Sequence, residues 1–302
     1  MNGYFNILKP TGMSSAAVVA VLRRLTGAKR VGHAGTLDPE AAGVLPVMTG
    51  KATRLFDYLA DKEKEYIAVC AFGTATDTQD ATGNVTETGD RYPSAETFLN
   101  AAAQLTGEII QIPSIYSAIK VGGKPLYLRA RRGEAAEAPP RTVRIDEIEL
   151  LRETEDHGFE IRIRCGRGTY IRTLCADLGK RCGCPAHMRS LTRTRSGAFS
   201  IEEAMTIEEA KRLAETGRLA ERLLPPDYAL GHLPRLDAPA GLRKLVVNGA
   251  KLPLFTGAEA AAEGEPVRIY LEGAFWGIAA RREEQITWKV QIAPDEGPEE
   301  MS

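Results

Sequence analysis

The part of this chain that most restricts its fold is a pair of strand-like runs leading straight into a helix. TVRIDEIELLRE (142–153) and GFEIRIRCGRG (158–168) are joined by the polar turn Thr154 to His157. In EIRIRC, Ile161 and Ile163 point one way and Arg162 and Arg164 the other, the alternation of a half-buried strand. YIRTLCADLGKRCG then reads as a helix. The same mixture recurs upstream. A strand at Tyr4 to Leu8 precedes an amphipathic helix that starts at Ser14-Ser15, lines up Val18, Val21, Leu22 and Leu25, and stops at Gly27. KEYIAVCAFG (64–73) has strand composition and runs into the loop TATDTQDATGN, and SAETFLNAAAQLT (94–106) is a helix with Ser94 as its N-cap. Both element types in one core make the expected class α+β.

At the C-terminal end, VRIYL, AFWGIA and ITWKVQI read as a hairpin plus a third strand. The Pro-rich PRLDAP around Leu233 to Pro239 reads as a linker to this small unit. About 65 residues are marginal for independent stability, so the unit is expected to pack on the main domain. The organisation expected is a main domain over 1–232, a β-rich domain over 233–293 and an acidic, disordered tail over 294–302.

Composition excludes several functions. With 302 residues and 43% hydrophobic content the chain supports one large core. No apolar run approaches the roughly 18 residues of a membrane span. MNGYFNILKPTG lacks the basic and apolar regions of a secretory leader, so a cytoplasmic location is expected. Five scattered cysteines fit reduced thiols. Neither a phosphate-binding loop nor a dinucleotide fingerprint is present, which argues against ATP and NAD. Cys182, Cys184 and His187 lack the paired C-x-x-C halves of a zinc site, and no metal is expected.

Formal net charge is only −1, yet charge is unevenly spread. Nine Lys and Arg face one acid, Asp177, between Ile161 and Arg195. KVGGKPLYLRARRG (120–133) interleaves Lys124, Arg129, Arg131 and Arg132 with Tyr127, a combination suited to phosphates and exposed bases. It sits in a stretch, about 113 to 141, with little periodicity and many turn residues, which reads as a long inserted loop. Chemistry is most expected in VGHAGTLDPEAAGVLPVMTG (31–50), where Asp38 and Glu40 are the only acids in a Gly-, Ala- and Pro-rich stretch. Asp38-Pro39 favours a turn that projects the carboxylate from a loop. Tyr66 in KEYIAV and Arg172 in GRGTYIRTL are the other candidates. Taken singly, a turn-capping Asp, a core aromatic and a surface charge are the readings that residues of these types favour.

NILKPTGMSS, GHAGTLDPEAAGVLPV, KEYIAVCAFGTATDTQDATG, PSIYSAIKVGGKPLYLRARRG and GRGTYIRTLCADLG occur in that order. Together they resemble the TruB family of tRNA pseudouridine synthases from about Asn6 to Leu191. The resemblance implies a pseudouridine synthase fold with a mixed central sheet, a thumb loop inserted at about 120–140 and a small PUA-like C-terminal domain. It implies isomerisation of uridine 55 in the TΨC loop of tRNA, with no cofactor, by a monomer needing no protein partner. Carried over residue by residue, Asp38 matches the catalytic aspartate, Tyr66 the tyrosine that stacks on the target base, and Arg172 the arginine paired with the aspartate. His33 matches the histidine that fills the space left by flipped bases. Tyr170 and Leu191 match substrate-pocket side chains, and Lys9 the lysine of the N-terminal KP motif. The family's G-A-H reads Pro185-Ala186-His187 here, a departure that bears on the local turn and not on the chemistry.

Uridine becomes pseudouridine when the N1–C1′ bond breaks, the base turns, and C5 joins C1′, with no net redox change. An ionised carboxylate at the sugar suffices, as nucleophile at C1′ or base at C2′, and the residues leave both routes open. Extruding the nucleotide from a folded loop costs a few kcal/mol. A synthase acting on another RNA, a non-catalytic RNA chaperone and an aspartate-dependent hydrolase are the alternatives.

Overall fold

The computed structural model describes residues 1–59, 63–117, 119–126, 129, 138–259 and 261–294. Tyr127, Arg131, Arg132 and the tail from 295 lie outside the described residues. The chain divides into two units, one of Met1–Asp38, Val44–Ala60 and Gly197–Ser302, the other of Pro39–Gly43 and Asp61–Ser196.

The first unit opens with β1 (Gly3–Lys9) and α1 (Ser15–Thr26). Ser14 caps α1 by accepting from the Ala17 N–H at 3.1 Å, and Gly27 ends it at φ 64°, its N–H returned to the Arg23 carbonyl. The buried face of α1, Val18, Val21 and Leu22, packs with Phe5, Ile7, Val31, Leu45 and Val47. β2 (Val31–His33) pairs antiparallel with β3 (Ala42–Thr49), His33 opposite Val47. The Gly- and Ala-rich stretch is therefore less of a loop than its composition suggests. Gly43 to Thr49 is a buried strand because GVLPVM is apolar, and only residues 34–41 remain irregular.

The second unit carries β4 (Lys64–Phe72), the small pair β5 (Thr74–Thr76) and β6 (Val85–Thr88), α2 (Ala95–Gln104), and β7 (Gly107–Gln111). The hairpin β8 (Lys120–Val121) and β9 (Lys124–Pro125) follows, then β10 (Arg141–Glu153), β11 (Gly158–Cys165), α3 (Ile171–Cys182) and β12 (Ala186–Ser196). Its sheet runs β12-β4-β11-β10-β7 in antiparallel pairs. Ala42 and Gly43 pair parallel with Thr192 and Arg193 of β12, which makes the sheet mixed. Gly43 permits this pairing: a Cβ there would lie 2.2 Å from the Arg193 carbonyl oxygen, and its φ is 110°. Pro185 fits the connection into β12, where its carbonyl accepts the Gly73 N–H at 2.8 Å and no donor is required of it.

The first unit then resumes with β13 (Phe199–Ser200), α4 (Ile207–Glu215), β14 (Arg235–Ala238), α5 (Arg243–Val247), β15 (Leu252–Pro253), β16 (Pro266–Leu271), β17 (Ala274–Arg282) and β18 (Gln285–Gln291). The last five strands form a sheet in the order β14-β16-β17-β18-β15. The expected hairpin and third strand are β16, β17 and β18. PRLDAP is not a linker: Arg235 to Ala238 pairs parallel with β16 and buries Leu236 and Ala238. The two prolines bracket the strand instead of interrupting it, and edge strands tolerate them there. Tyr270, Phe275, Ile278 and Val290 of this sheet share a core with Tyr4, Met48 and Leu55, so the small sheet does pack on the N-terminal elements.

Candidate active site

Asp38 is half-buried, within the irregular run between β2 and β3. Its predecessor is clamped. The Ser15 hydroxyl donates to the Leu37 carbonyl and accepts the Leu37 N–H, both at 2.9 Å, and Leu37 is buried. The helix start read from Ser14-Ser15 thus has two tasks: Ser14 caps, and Ser15 fixes the backbone one residue before the carboxylate. Lys9 is fully buried, and its ammonium donates to the Pro10 carbonyl at 2.9 Å and to that of Met13, which braces the KPTG turn. His33 is half-buried at the end of β2.

In the second unit Arg172, in the first turn of α3, is 6% exposed. Its Nη1 donates to the Thr78 carbonyl at 3.1 Å and to Asp80 Oδ2 at 3.3 Å, and its Nη2 to the Tyr116 carbonyl at 3.2 Å. Asp80 is in turn held by the hydroxyls of Thr78 at 2.7 Å and Thr82 at 2.6 Å, and by the Thr82 N–H at 3.0 Å. Burial works to raise the Asp80 pKa, but the Thr82 and Thr78 hydrogen bonds and the Arg172 charge together hold it below the usual carboxylate range. The surrounding loop is pinned by Gln79, which accepts from Thr173 Oγ1 at 2.8 Å and, through its carbonyl, from the Met188 N–H at 3.0 Å. Asp80 is the residue that reading the sequence for chemistry missed. It lies inside TATDTQDATG, but nothing in that polar loop separates Asp80 from Asp77, which bonds locally to Asn84.

Tyr66 on β4 is 6% exposed and sits opposite Ile163 of β11 and Arg193 of β12. Leu191 sits opposite Ala68, so Tyr66, Ala68, Leu191 and Arg193 share one face of the sheet. Cys70, next on that face of β4, has its thiol 3.7 Å from the Cys175 carbonyl of α3, so the helix carrying Arg172 covers the same face. Tyr170, immediately before α3, is half-buried beneath the Arg141 guanidinium, 5.7 Å from the ring centroid.

The run of positive charge from 161 to 195 is not a positive patch in space. Arg162 bonds Glu149 at 2.6 Å and Arg164 bonds Glu147 at 2.9 Å, with the acids supplied by β10 across the ladder. Arg189 pairs with Asp156, and Arg172 and Arg193 are buried. Of the expected RNA-binding residues, Arg129 is half-buried, the Lys124 backbone lies in β9, and Arg131 and Arg132 are outside the described residues. His187 is engaged with the Thr74 carbonyl at 2.8 Å. Burial followed by the neighbouring Cys184 pushes the Cys182 thiol up to about 11, the protonated state at neutral pH. Among the described residues no group of three His, Cys, Asp or Glu could hold a metal ion.

Residues 23–171 match the TruB family pseudouridylate synthase N-terminal domain, and residues 172–231 the tRNA pseudouridylate synthase B C-terminal domain. The chain is 44% identical to tRNA pseudouridine synthase B of Bacillus licheniformis over 257 residues, 83% of each chain. It is 40% identical to that of Bacillus subtilis over 281 residues, 90% of each chain. Its fold superposes on a chain of a solved Cbf5-Nop10-Gar1 complex with a TM-score of 0.71 and 28% identity, covering 96% of this chain and 84% of that one. With its identity to these relatives extending over four-fifths of the sequence or more, and with the mixed sheet of the fold beneath it, the chain belongs to the TruB family of pseudouridylate synthases.

Proposed function

We propose that the protein isomerises uridine 55 in the TΨC loop of tRNA to pseudouridine. The observation that carries this is the 40–44% identity to relatives named tRNA pseudouridine synthase B. In this reading 1–232 is the catalytic domain and 233–293 a PUA-like domain, and the enzyme works in the cytoplasm as a monomer, without cofactor or protein partner. Asp38 acts at the sugar, as nucleophile at C1′ or base at C2′, so that the N1–C1′ bond breaks and the electron pair leaves with uracil. The uracil turns and C5 bonds to C1′, which releases the Asp38 carboxylate from C1′ on the first route or returns the proton to C2′ on the second; C5 then loses its proton, and N1, freed from the sugar, takes one up. Tyr66 stacks on the base and its hydroxyl assists the loss of the C5 proton. Arg172 is the cation that pairs with Asp38, and its own orientation is fixed by Asp80. His33 fills the space of the flipped nucleotide, Tyr170 and Leu191 shape the pocket, and Lys9 braces the KPTG turn. Lys124, Arg129, Arg131 and Arg132 contact phosphates. If all four do so, removing residues 122–137 changes the slope of log affinity against log salt by roughly three to four.

The test is purified protein with an unmodified tRNA transcript and pseudouridine mapped to the nucleotide. Modification at position 55 is expected, and modification only elsewhere, or none, overturns the reading. An RNA chaperone would bind the transcript and release no tritium from C5-labelled uridine.

A further inference from the structure

The insertion between β7 and β10 leaves the sheet at a single rung. Gln111 is the last residue of β7, Arg141 the first of β10, and the two are partners across the ladder. Both side chains end on Tyr170. Gln111 is fully buried, accepts the Tyr170 N–H at 3.0 Å through its Oε1 and donates from its Nε2 to the Tyr170 carbonyl at 3.3 Å. A side-chain amide matched to both backbone groups of one residue fixes that residue's backbone much as a strand neighbour would. Arg141 adds a cation against the ring of the same residue, its Cζ 5.7 Å from the centroid. Five residues past Gln111, the Tyr116 carbonyl accepts from Arg172. The N-terminus of α3 is therefore held by the root of the insertion at three points: the Tyr170 backbone, the Tyr170 ring and the Arg172 guanidinium. Tyr170 has no side-chain cap of its own, so Gln111 supplies the anchoring that the helix start lacks.

We infer that Gln111 and Arg141 are positioning residues for the isomerisation, setting Tyr170 and, through the start of α3, Arg172. The inference rests on the proposed roles of those two residues. It separates two duties of the insertion: its outer basic residues hold RNA, while its root sets the pocket.

The test uses the full-length enzyme, the tRNA transcript, single-turnover rates at saturating tRNA, tRNA affinity by filter binding, and thermal melting of each variant. Gln111→Leu removes both hydrogen bonds, and because small misplacements of reacting groups cost heavily, its rate should fall on the order of tenfold to a hundredfold. Gln111→Glu keeps the acceptor for the Tyr170 N–H but loses the donor, and should fall less. Arg141→Met should slow turnover about threefold, with Arg141→Lys restoring part of the loss because a cation returns to the ring. Affinity should move less than about threefold in all four, since none is a phosphate contact in this account. If Gln111→Leu does not fold, the glutamate and Arg141 variants carry the test. Rates per folded enzyme within about twofold of the parent, with only melting lowered, would make the clamp purely structural and overturn the inference. A loss confined to affinity would overturn it as well, by making Arg141 and Gln111 RNA contacts. A parent enzyme that forms no pseudouridine at position 55 would overturn the proposed function, and this inference with it.

Discussion

The loop carrying Asp38 is fixed through its backbone, by a serine hydroxyl that both donates to and accepts from Leu37, whereas Arg172 is fixed through its own guanidinium, by two carbonyls and a carboxylate. The first arrangement aims a residue and leaves its side chain half-buried. The second spends the side chain's donors on the protein and buries it to 6% exposure. A group that must change bonding during a reaction suits the first arrangement, and one that must hold charge and direction suits the second.

Replacing the proposed reacting group should do most damage. Asp38→Asn is expected to abolish turnover, by about a thousandfold or more, while tRNA affinity stays within about tenfold, because the amide has neither the nucleophile nor the base. Residual turnover above a few per cent would show that Asp38 is aimed but not used.

Arg172→Lys keeps the charge and loses the planar fork that reaches three oxygens at once, so a fall of about a hundredfold in single-turnover rate at neutral pH is expected. A near-native rate would mean that charge alone matters and that the cradle is incidental.

Asp80→Asn leaves Arg172 charged but removes its anionic anchor, and turnover should drop on the order of tenfold. This variant also has a pH signature. The folded pKa of Asp80 is lowered, so the stability linked to its ionised form is present above the ordinary aspartate value of 3.8 and is lost as pH falls through the lower folded value. Melting temperatures followed from pH 7 down to pH 3 should therefore decline less steeply at the acid end for Asp80→Asn than for the parent. Parallel curves would show that Asp80 contributes no net linkage.

The mildest expected effect is that of Ser15→Ala. It removes both bonds to Leu37, for a loss of about 1 to 3 kcal/mol in stability and a several-fold loss in turnover, with Ser14 still capping α1. A melting change with no change in turnover would show that the backbone clamp serves the fold alone.

Much of this was legible in the sequence where local rules decide the outcome. Ser14 and Gly27 mark both ends of α1, Ser94 starts α2, and the alternation in EIRIRC places Ile161 and Ile163 inside. The family motifs singled out Asp38, Tyr66 and Arg172 as candidates. What failed to show was pairing between distant segments. Prolines on either side of Arg235 to Ala238 suggest a linker until β16 is seen beside it. The arginines of β11 look like a phosphate surface until β10 supplies Glu147 and Glu149. Asp80 was hidden for the same reason, since its partner lies 92 residues away in sequence.

Gly43 has a bearing on how mutational scans of such an enzyme are to be understood. Any side chain there must overlap the Arg193 backbone and adopt a φ of 110°, so even alanine is excluded by space and by conformation together. In a saturating screen scored by tRNA modification this position would tolerate as little change as Asp38, although it bears no functional group. Abundance measured alongside activity tells the two apart: Asp38 variants are expected to persist as inactive protein, and Gly43 variants to disappear.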